Sequence, residues 1–243
     1  MKDLLHHGWV LLLLILLLAG CAPEQEIEPT AVPSTVLIHI TPAARPAHAA
    51  VRACAASLPG FLFETEERFA SEASSDLVIR LGVPEIHPGF LAQIASDELA
   101  VVLHPENPSA SLTTAEIQAL FSGQVTNWAE YNGSDAPVQV WVPLPVDETR
   151  MAFDSQILQG LPVVSDARLA PDPQSMQQAL SADPDAIGYL PVSWQPSDLH
   201  SILLGIRLPL LVSASQVPEG PAAELTACLQ GEIGQQALQQ SYP

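Results

Sequence analysis

The densest run of chemistry-bearing side chains is Asp147-Glu148-Thr149-Arg150, placed where a strand pattern gives way to a helix pattern. Asp147 is a good helix N-cap, its carboxylate accepting from the free amides of the first turn. Helix starts favour anions through those amides and the positive end of the dipole. Glu148 sits in the first turn, so this helix end is neutralised by its own carboxylates. An anion brought here meets like charges, destabilising by about 1 kcal/mol or more per close pair even when well solvated. Arg150 has Glu148 and Asp147 as ion partners on its own helix. Enzyme readings fare poorly: no nucleophile elbow, P-loop or zinc-protease helix is present. His39, His48, His87, His104 and His200 are scattered, with no metal-ligand spacing among them. No CxxC or Cys/His spacing exists either, so neither a metal nor a cofactor is expected.

The elements that must position this run follow from periodicity. Strands are expected near Val36–Ile40, Phe61–Glu64, Asp76–Leu81, Leu99–Leu103, Val138–Val142, Ala186–Leu190 and Leu208–Ser213. Helices are expected around Pro46–Leu58, Pro88–Ala95, Thr114–Ser122, Glu148–Leu158, Gln174–Ser181, Pro221–Gln230 and Gly234–Gln240. Such alternation argues for an α/β fold with mainly parallel sheets. The helix after Thr113 is the best signed. Thr113 and Glu116 form a capping box, flanked by Leu112 and Ile117 as a hydrophobic staple. Ile117, Leu120 and Phe121 give one apolar stripe, and Gly123 supplies a left-handed stop. Trp128, Trp141, Trp194, Tyr131 and Tyr189 are aromatic enough for a sugar platform, but core packing is the better reading of Trp128 and Trp141.

Charge and the N-terminus set the setting. Lys2 is the only lysine, and the formal net charge is −19. Such a field repels nucleic acid and anionic lipid headgroups, and it suits solubility at a cell surface. Lys2, the apolar run Val10 to Leu18, then Leu18-Ala-Gly-Cys21 read as a bacterial lipoprotein signal with cleavage before Cys21. The run is shorter than the roughly 20 residues of a membrane span. Diacylated, N-acylated Cys21 would anchor the protein stably on the extracytoplasmic face of the bacterial cell membrane. Residues 21–34, with Pro23, Pro29 and Pro33, read as a flexible tether after a signal peptide at 1–20.

The stretch Leu112 to Phe153 resembles the substrate-binding proteins of phosphate ABC transporters. There a short helix and a Gly-x-x-x-Asn-Trp turn, here Gly123 to Trp128, lead to a strand and then to a Gly-Ser-Gly-Thr-Arg loop that opens a helix. Thr149-Arg150 survive here, while Val146-Asp147-Glu148 stand at Gly-Ser-Gly. Pro143 stands about where the family has a ligand-binding arginine. Ala186-Ile-Gly-Tyr189-Leu, Arg207-Leu-Pro209-Leu-Leu-Val212 and Gly231 to Pro243 resemble later family segments in the right order. Upstream, Thr41 to Pro46 can be laid on a first-lobe ligand loop and Asp76-Leu-Val-Ile on the strand that follows it. Between Glu64 and Ser75 the family's Gly-Ser-Gly-rich loop is replaced by Thr65-Glu-Glu-Arg-Phe-Ala-Ser-Glu-Ala-Ser-Ser.

The resemblance implies a two-lobed periplasmic-binding-protein-like α/β fold of type 2, with two interlobe crossovers and ligand clamped between lobes. Lobe one would be 35–103 plus 207–243, and lobe two 104–206. It nominates Thr41, Ser74, Ser75, Asp147, Thr149 and Arg150 as ligand-binding residues, with Arg80 a further cation nearby. Each hydroxyl has turn or cap work as its competing role. The expected partners are a small solute, an oxyanion or another, and ABC transporter membrane subunits, with no nucleic acid. Cys54 and Cys228 fall on helices that the family's topology puts in lobe one, so they either pair or remain two buried apolar thiols. The reading is a lipid-anchored solute-binding protein, not an enzyme, with its ligand altered. The alternatives are a ligand-free sensor or interaction module on the same fold and a hydrolase on it, which would need a clustered acid–base pair that the spacing does not show.

Overall fold

The computed structural model describes residues 35–69, 74–107, 109 and 111–242. The lipobox around Cys21 and the tether lie outside them. Eight strands, six α-helices and short 3-10 turns alternate through the described residues. The strands are β1 (Thr35–Ile40), β2 (Leu62–Glu67), β3 (Leu77–Leu81), β4 (Phe90–Leu103), β5 (Gln139–Pro143), β6 (Arg168–Ala170), β7 (Ala186–Pro191) and β8 (His200–Ala214). The helices are α1 (His48–Ser57), α2 (Thr114–Phe121), α3 (Glu148–Phe153), α4 (Pro173–Ala182), α5 (Gly220–Gln230) and α6 (Glu232–Leu238).

One sheet holds all eight strands in the order β2-β1-β3-β8-β4-β7-β5-β6. β1 pairs in parallel with β2 and β3, and β5 in parallel with β6 and β7. Between these parallel groups runs an antiparallel ribbon of β4 and β8, of 14 and 15 residues. At about 3.3 Å per residue the ribbon is on the order of 45 Å long, enough to serve both ends of the sheet. Its register runs from Phe90 opposite Ala214 to Leu103 opposite His200, with shifts between Gln93 and Ala95 and between Leu99 and Ala100. Such irregularities bend a ribbon and raise its twist. The two strands are the crossovers that join the half containing β1–β3 to the half containing β5–β7.

Residues Pro88–Ala95 are not the expected helix; Phe90 onward is the first part of β4. Leu91, Ala92 and Gln93 face Ser213, Val212 and Leu211 across the ladder. That non-local pairing overrides the local leaning of an Ala, Leu and Gln-rich run. The sheet is accordingly mixed rather than mainly parallel, and the return strand expected at Leu208–Ser213 begins already at His200. β6, three residues long, carries too few residues to announce itself. The helix expected over Glu148–Leu158 is α-helical to Phe153, then widens into a π turn over Asp154–Leu158 that stops at left-handed Gln159.

Ile38, Ile40, Leu77, Ile79 and Leu81 are fully buried in the first half, which α1, α5 and α6 cover. Cys54 of α1 and Cys228 of α5 are joined as a disulfide, S–S 2.14 Å, across 174 residues of chain. The Tyr242 hydroxyl donates to the Ala44 carbonyl at 3.2 Å and pins the C-terminus to this layer. In the second half, the Phe153 and Tyr189 rings stack at 4.0 Å, with Phe121 tilted 4.7 Å from Phe153. Trp128 is fully buried, its indole N–H donating to the Asp185 carbonyl at 2.9 Å. Trp141 is only partly covered and has the Arg168 guanidinium over its ring at 5.5 Å.

Candidate functional site between the two halves of the sheet

Parallel pairing of β1 and β3 brings their C-terminal ends out side by side, so Thr41 and Arg80-Leu81-Gly82 become neighbours. The Thr41 amide donates to the Ile79 carbonyl at 3.0 Å. Thr41 precedes the 3-10 turn Pro42–Ala47, but its side chain makes no capping bond there, which leaves the hydroxyl for other work. Gly82 holds a positive φ of 86°, and a Cβ on it would lie 3.8 Å from the Glu148 Cβ. The start of α3 is therefore seated directly on the exit of β3.

That seating buries Glu148 to 5 % exposure and Arg80 to 6 %, with Arg80 Nε 3.9 Å from Glu148 Oε1. Burial pushes the Glu148 carboxyl up to about 8, and the adjacent Asp147 carboxylate adds to the rise. The Arg80 guanidinium, a backbone amide and the Thr41 hydroxyl oppose it without prevailing. The Thr41 hydroxyl lies close enough to favour the ionised carboxylate, yet neither it nor either Glu148 oxygen has a well-formed hydrogen bond. Asp147 is better provided. As the N-cap of α3 it accepts from the Thr149 amide at 2.8 Å and from the Thr149 hydroxyl. Burial raises its pKa, and these bonds hold the rise back.

Arg150 pairs with neither Glu148 nor Asp147. Its Nε donates to both Asp154 oxygens, at 2.8 and 2.7 Å, and its Nη1 to the Pro143 carbonyl at 3.2 Å. Asp154, four residues on, shares its helix face; Glu148 at i−2 does not, and Asp147 at i−3 already accepts from the Thr149 amide and hydroxyl. A second set of contacts spans the halves beside α4. The Trp194 indole donates to the Ala43 carbonyl at 2.8 Å. Arg45 lies 4.9 Å over the Trp194 ring, donates to Gln174 Oε1 at 3.2 Å, and forms an ion pair with Glu67. Next to Glu148 lies a cavity of about 360 Å³, lined among others by Gly82, Glu85, Met151, Ser155 and Arg207. Among the described residues, no group of three His, Cys, Asp or Glu side chains is placed to hold a metal ion.

A PBP superfamily domain matches residues 87–238. The chain belongs to the PBP superfamily. A candidate phosphate ABC transporter substrate-binding protein of Clostridium perfringens, with bound phosphate, superposes with TM-score 0.77 at 18 % identity, covering 86 % of this chain and 98 % of that one. An ABC-type phosphate transport receptor of Vibrio cholerae does so with TM-score 0.66 at 18 % identity, covering 84 % and 98 %. OxyR of Corynebacterium glutamicum shares the architecture with TM-score 0.57 at 14 % identity, covering 99 % of this chain and 76 % of that one. In sequence, Protein SphX of Synechococcus elongatus is 30 % identical over 107 residues, 42 % of this chain and 32 % of that protein. The chain thus spans about a third of the length of that curated relative. The structural likenesses establish the PBP fold.

Within the PBP fold, the structure brings Thr41, Asp147, Glu148 and Thr149 to one place and leaves Arg150 at its flank. Ser74 and Ser75 are elsewhere. They precede β3, whose start at Leu77 is the end of the strand away from Arg80 and Gly82, about 10 Å from Arg80 at strand rise. Arg45, Trp194 and the buried state of Glu148 are the features that sequence reasoning missed. One signal was available: Arg80 lies inside the apolar strand Leu77-Val-Ile-Arg80-Leu81. A buried arginine demands a partner, and Glu148 is the carboxylate that arrives.

Proposed function

We propose that this protein is an extracytoplasmic solute-binding protein built on the phosphate-importer plan, anchored through lipidated Cys21, with its anion site altered. The carrying observation is that Glu148, standing where the resembling family has a small residue, is buried beside Arg80 and Thr41 between the two halves of the sheet. A guanidinium, a hydroxyl and a helix start make an oxyanion site; here the chain contributes a carboxyl group to it. Residues 35–103 plus 207–243 then form lobe one and 104–206 lobe two, hinged on the β4–β8 ribbon. The likeness to a phosphate ABC transporter substrate-binding protein of Clostridium perfringens and to a phosphate transport receptor of Vibrio cholerae supports solute binding rather than catalysis. ABC transporter membrane subunits are the partners this reading implies, with a small solute as cargo. Among the described residues no helix is long and apolar enough to cross a membrane.

Calorimetric titration tests the altered site. The native protein should bind inorganic phosphate weakly or not at all, and replacing Val146-Asp147-Glu148 by Gly-Ser-Gly, which removes two carboxylates, should raise phosphate affinity. Micromolar binding by the native protein defeats the reading. The chain-supplied contacts of Trp194 and Arg45 across the halves favour a second reading, a sensor or docking module on the same fold. Failure of both versions to bind any of phosphate, sulfate, molybdate, divalent metals or sugars would select it.

A further inference from the structure

The interior of the cleft has unequal charge. Asp147 and Glu148 approach from α3, and Arg80 alone approaches from β3. Thr41, at the end of β1, brings a hydroxyl and no charge. Arg150, on the same helix, is engaged by Asp154 and the Pro143 carbonyl. Glu85, from the loop after β3, and Arg207, from β8, line the neighbouring cavity with opposite signs. Two buried carboxyls against one guanidinium leave a net negative charge in a dry site, which is expensive unless one acid keeps its proton. Asp147 has its donors in Thr149; both Glu148 oxygens lack a well-formed hydrogen bond. The proton therefore belongs on Glu148.

We propose that closure of this cleft is governed by a proton on Glu148, so that the carboxyl group and its proton take over the role that a bound solute plays in bringing the two halves together. With the proton in place, the carboxyl fits between Arg80 and Thr41 as a neutral group. Without it, a second negative charge has only the poorly placed Thr41 hydroxyl and a backbone amide to meet it, and parting of the halves hydrates it. The β4–β8 ribbon has the features for such a motion. Its register shifts near Leu99 and Ala100, and Glu98 holds the amide of left-handed Gly205 at 3.0 Å on the facing strand. Asp97 fastens the same bend to the other half by accepting from the Ser193 amide at 3.3 Å. The rise of the Glu148 pKa to about 8 sets the range, ending in mildly alkaline solution. Between an ordinary glutamate value and that one, each pH unit changes the open-to-closed ratio by up to tenfold.

This inference rests on the solute-binding reading only for the premise that the halves move about the ribbon. The test uses the full chain without added solute, from pH 5 to pH 9.5. Small-angle scattering gives its dimensions. The emission of Trp194, whose indole bridges to Ala43, reports whether the halves are parted, with Trp194→Phe as the subtraction baseline. The native chain is expected to stay compact at low pH, then to expand with a red shift of Trp194 emission as pH rises toward about 8, and to level off above it. Glu148→Gln, neutral and nearly isosteric, stays compact throughout. A native chain whose dimensions and emission do not change overturns the proposal without recourse to any variant. So does the same expansion in Glu148→Gln. Either result, with weak phosphate binding by calorimetry, overturns the proton gate and leaves the altered-site reading standing. Tight phosphate binding overturns that reading whatever the pH profile shows.

Discussion

Two helix starts in this protein carry nearly the same chemistry and behave oppositely. At α2, Thr113 caps the helix and Glu116 reaches back to the Thr113 amide at 2.7 Å and to its hydroxyl at 2.8 Å. At α3, Asp147 caps and Glu148 follows it in the first turn. Thr113 is exposed, and the hydrogen bonds from Thr113 lower the Glu116 pKa. Glu148 is buried, and loss of water raises its pKa to about 8. A helix start therefore does not by itself decide whether an acid beside it is charged. Donors and water do, and at α3 water has been removed faster than donors were supplied.

The largest test is pH. Glu148 has a folded value above its ordinary 4.5, so its contribution is full below about pH 4.5 and is lost as pH rises to about 8. The loss is at most on the order of 5 kcal/mol by linkage. Urea denaturation of Glu148→Gln should match the native protein near pH 4 and exceed it at pH 9; equal slopes in the two proteins would break the comparison. Glu116 runs the other way: its stabilisation is present above its unfolded value and lost on acidification through the folded one. Glu116→Gln should therefore weaken the protein at neutral pH and leave the alkaline slope untouched.

Arg80→Ala is next in size. Removing the guanidinium takes away the buried cation 3.9 Å from Glu148; the loss is small while Glu148 keeps its proton and reaches about 3 kcal/mol once the carboxylate is ionised at alkaline pH. A pH-independent loss would mean that Arg80 serves packing rather than charge. The smallest expected effect sharpens the α2 side. Thr113→Ala removes a cap worth about 1 kcal/mol, with no change in pH slope above neutrality. Circular dichroism during thermal melting reads it.

These helix starts also divide what the sequence could disclose. The α2 signal is complete within a few residues: the cap, the staple of Leu112 and Ile117, and the stop at Gly123 are all local, and all are found. The strand leading to α3 and the cap at Asp147 were equally legible. What sequence could not give is the burial of Glu148, because Arg80 and Thr41 come from strands far away in the chain. The reading of a helix end merely neutralised by its own carboxylates assumed solvent around Glu148. Pro88–Ala95 failed for a related reason: its partners are Leu210 to Ser213, and no local periodicity records a ladder made with the far end of the protein. Arg150 pairs with Asp154 rather than with either acid before it, and that i,i+4 spacing is readable from the sequence.

The bridge between Cys54 and Cys228 has a topological consequence. The chain from one cysteine to the other is a closed covalent ring, and both crossover strands, α2, α3, α4 and β5 to β7 all lie on it. A single proteolytic cut anywhere between those cysteines opens the ring without releasing a fragment. The nicked molecule keeps its mass until a reductant is added, when it falls into two pieces. Half of the sheet can thus be severed in sequence while every residue stays covalently attached to the same particle.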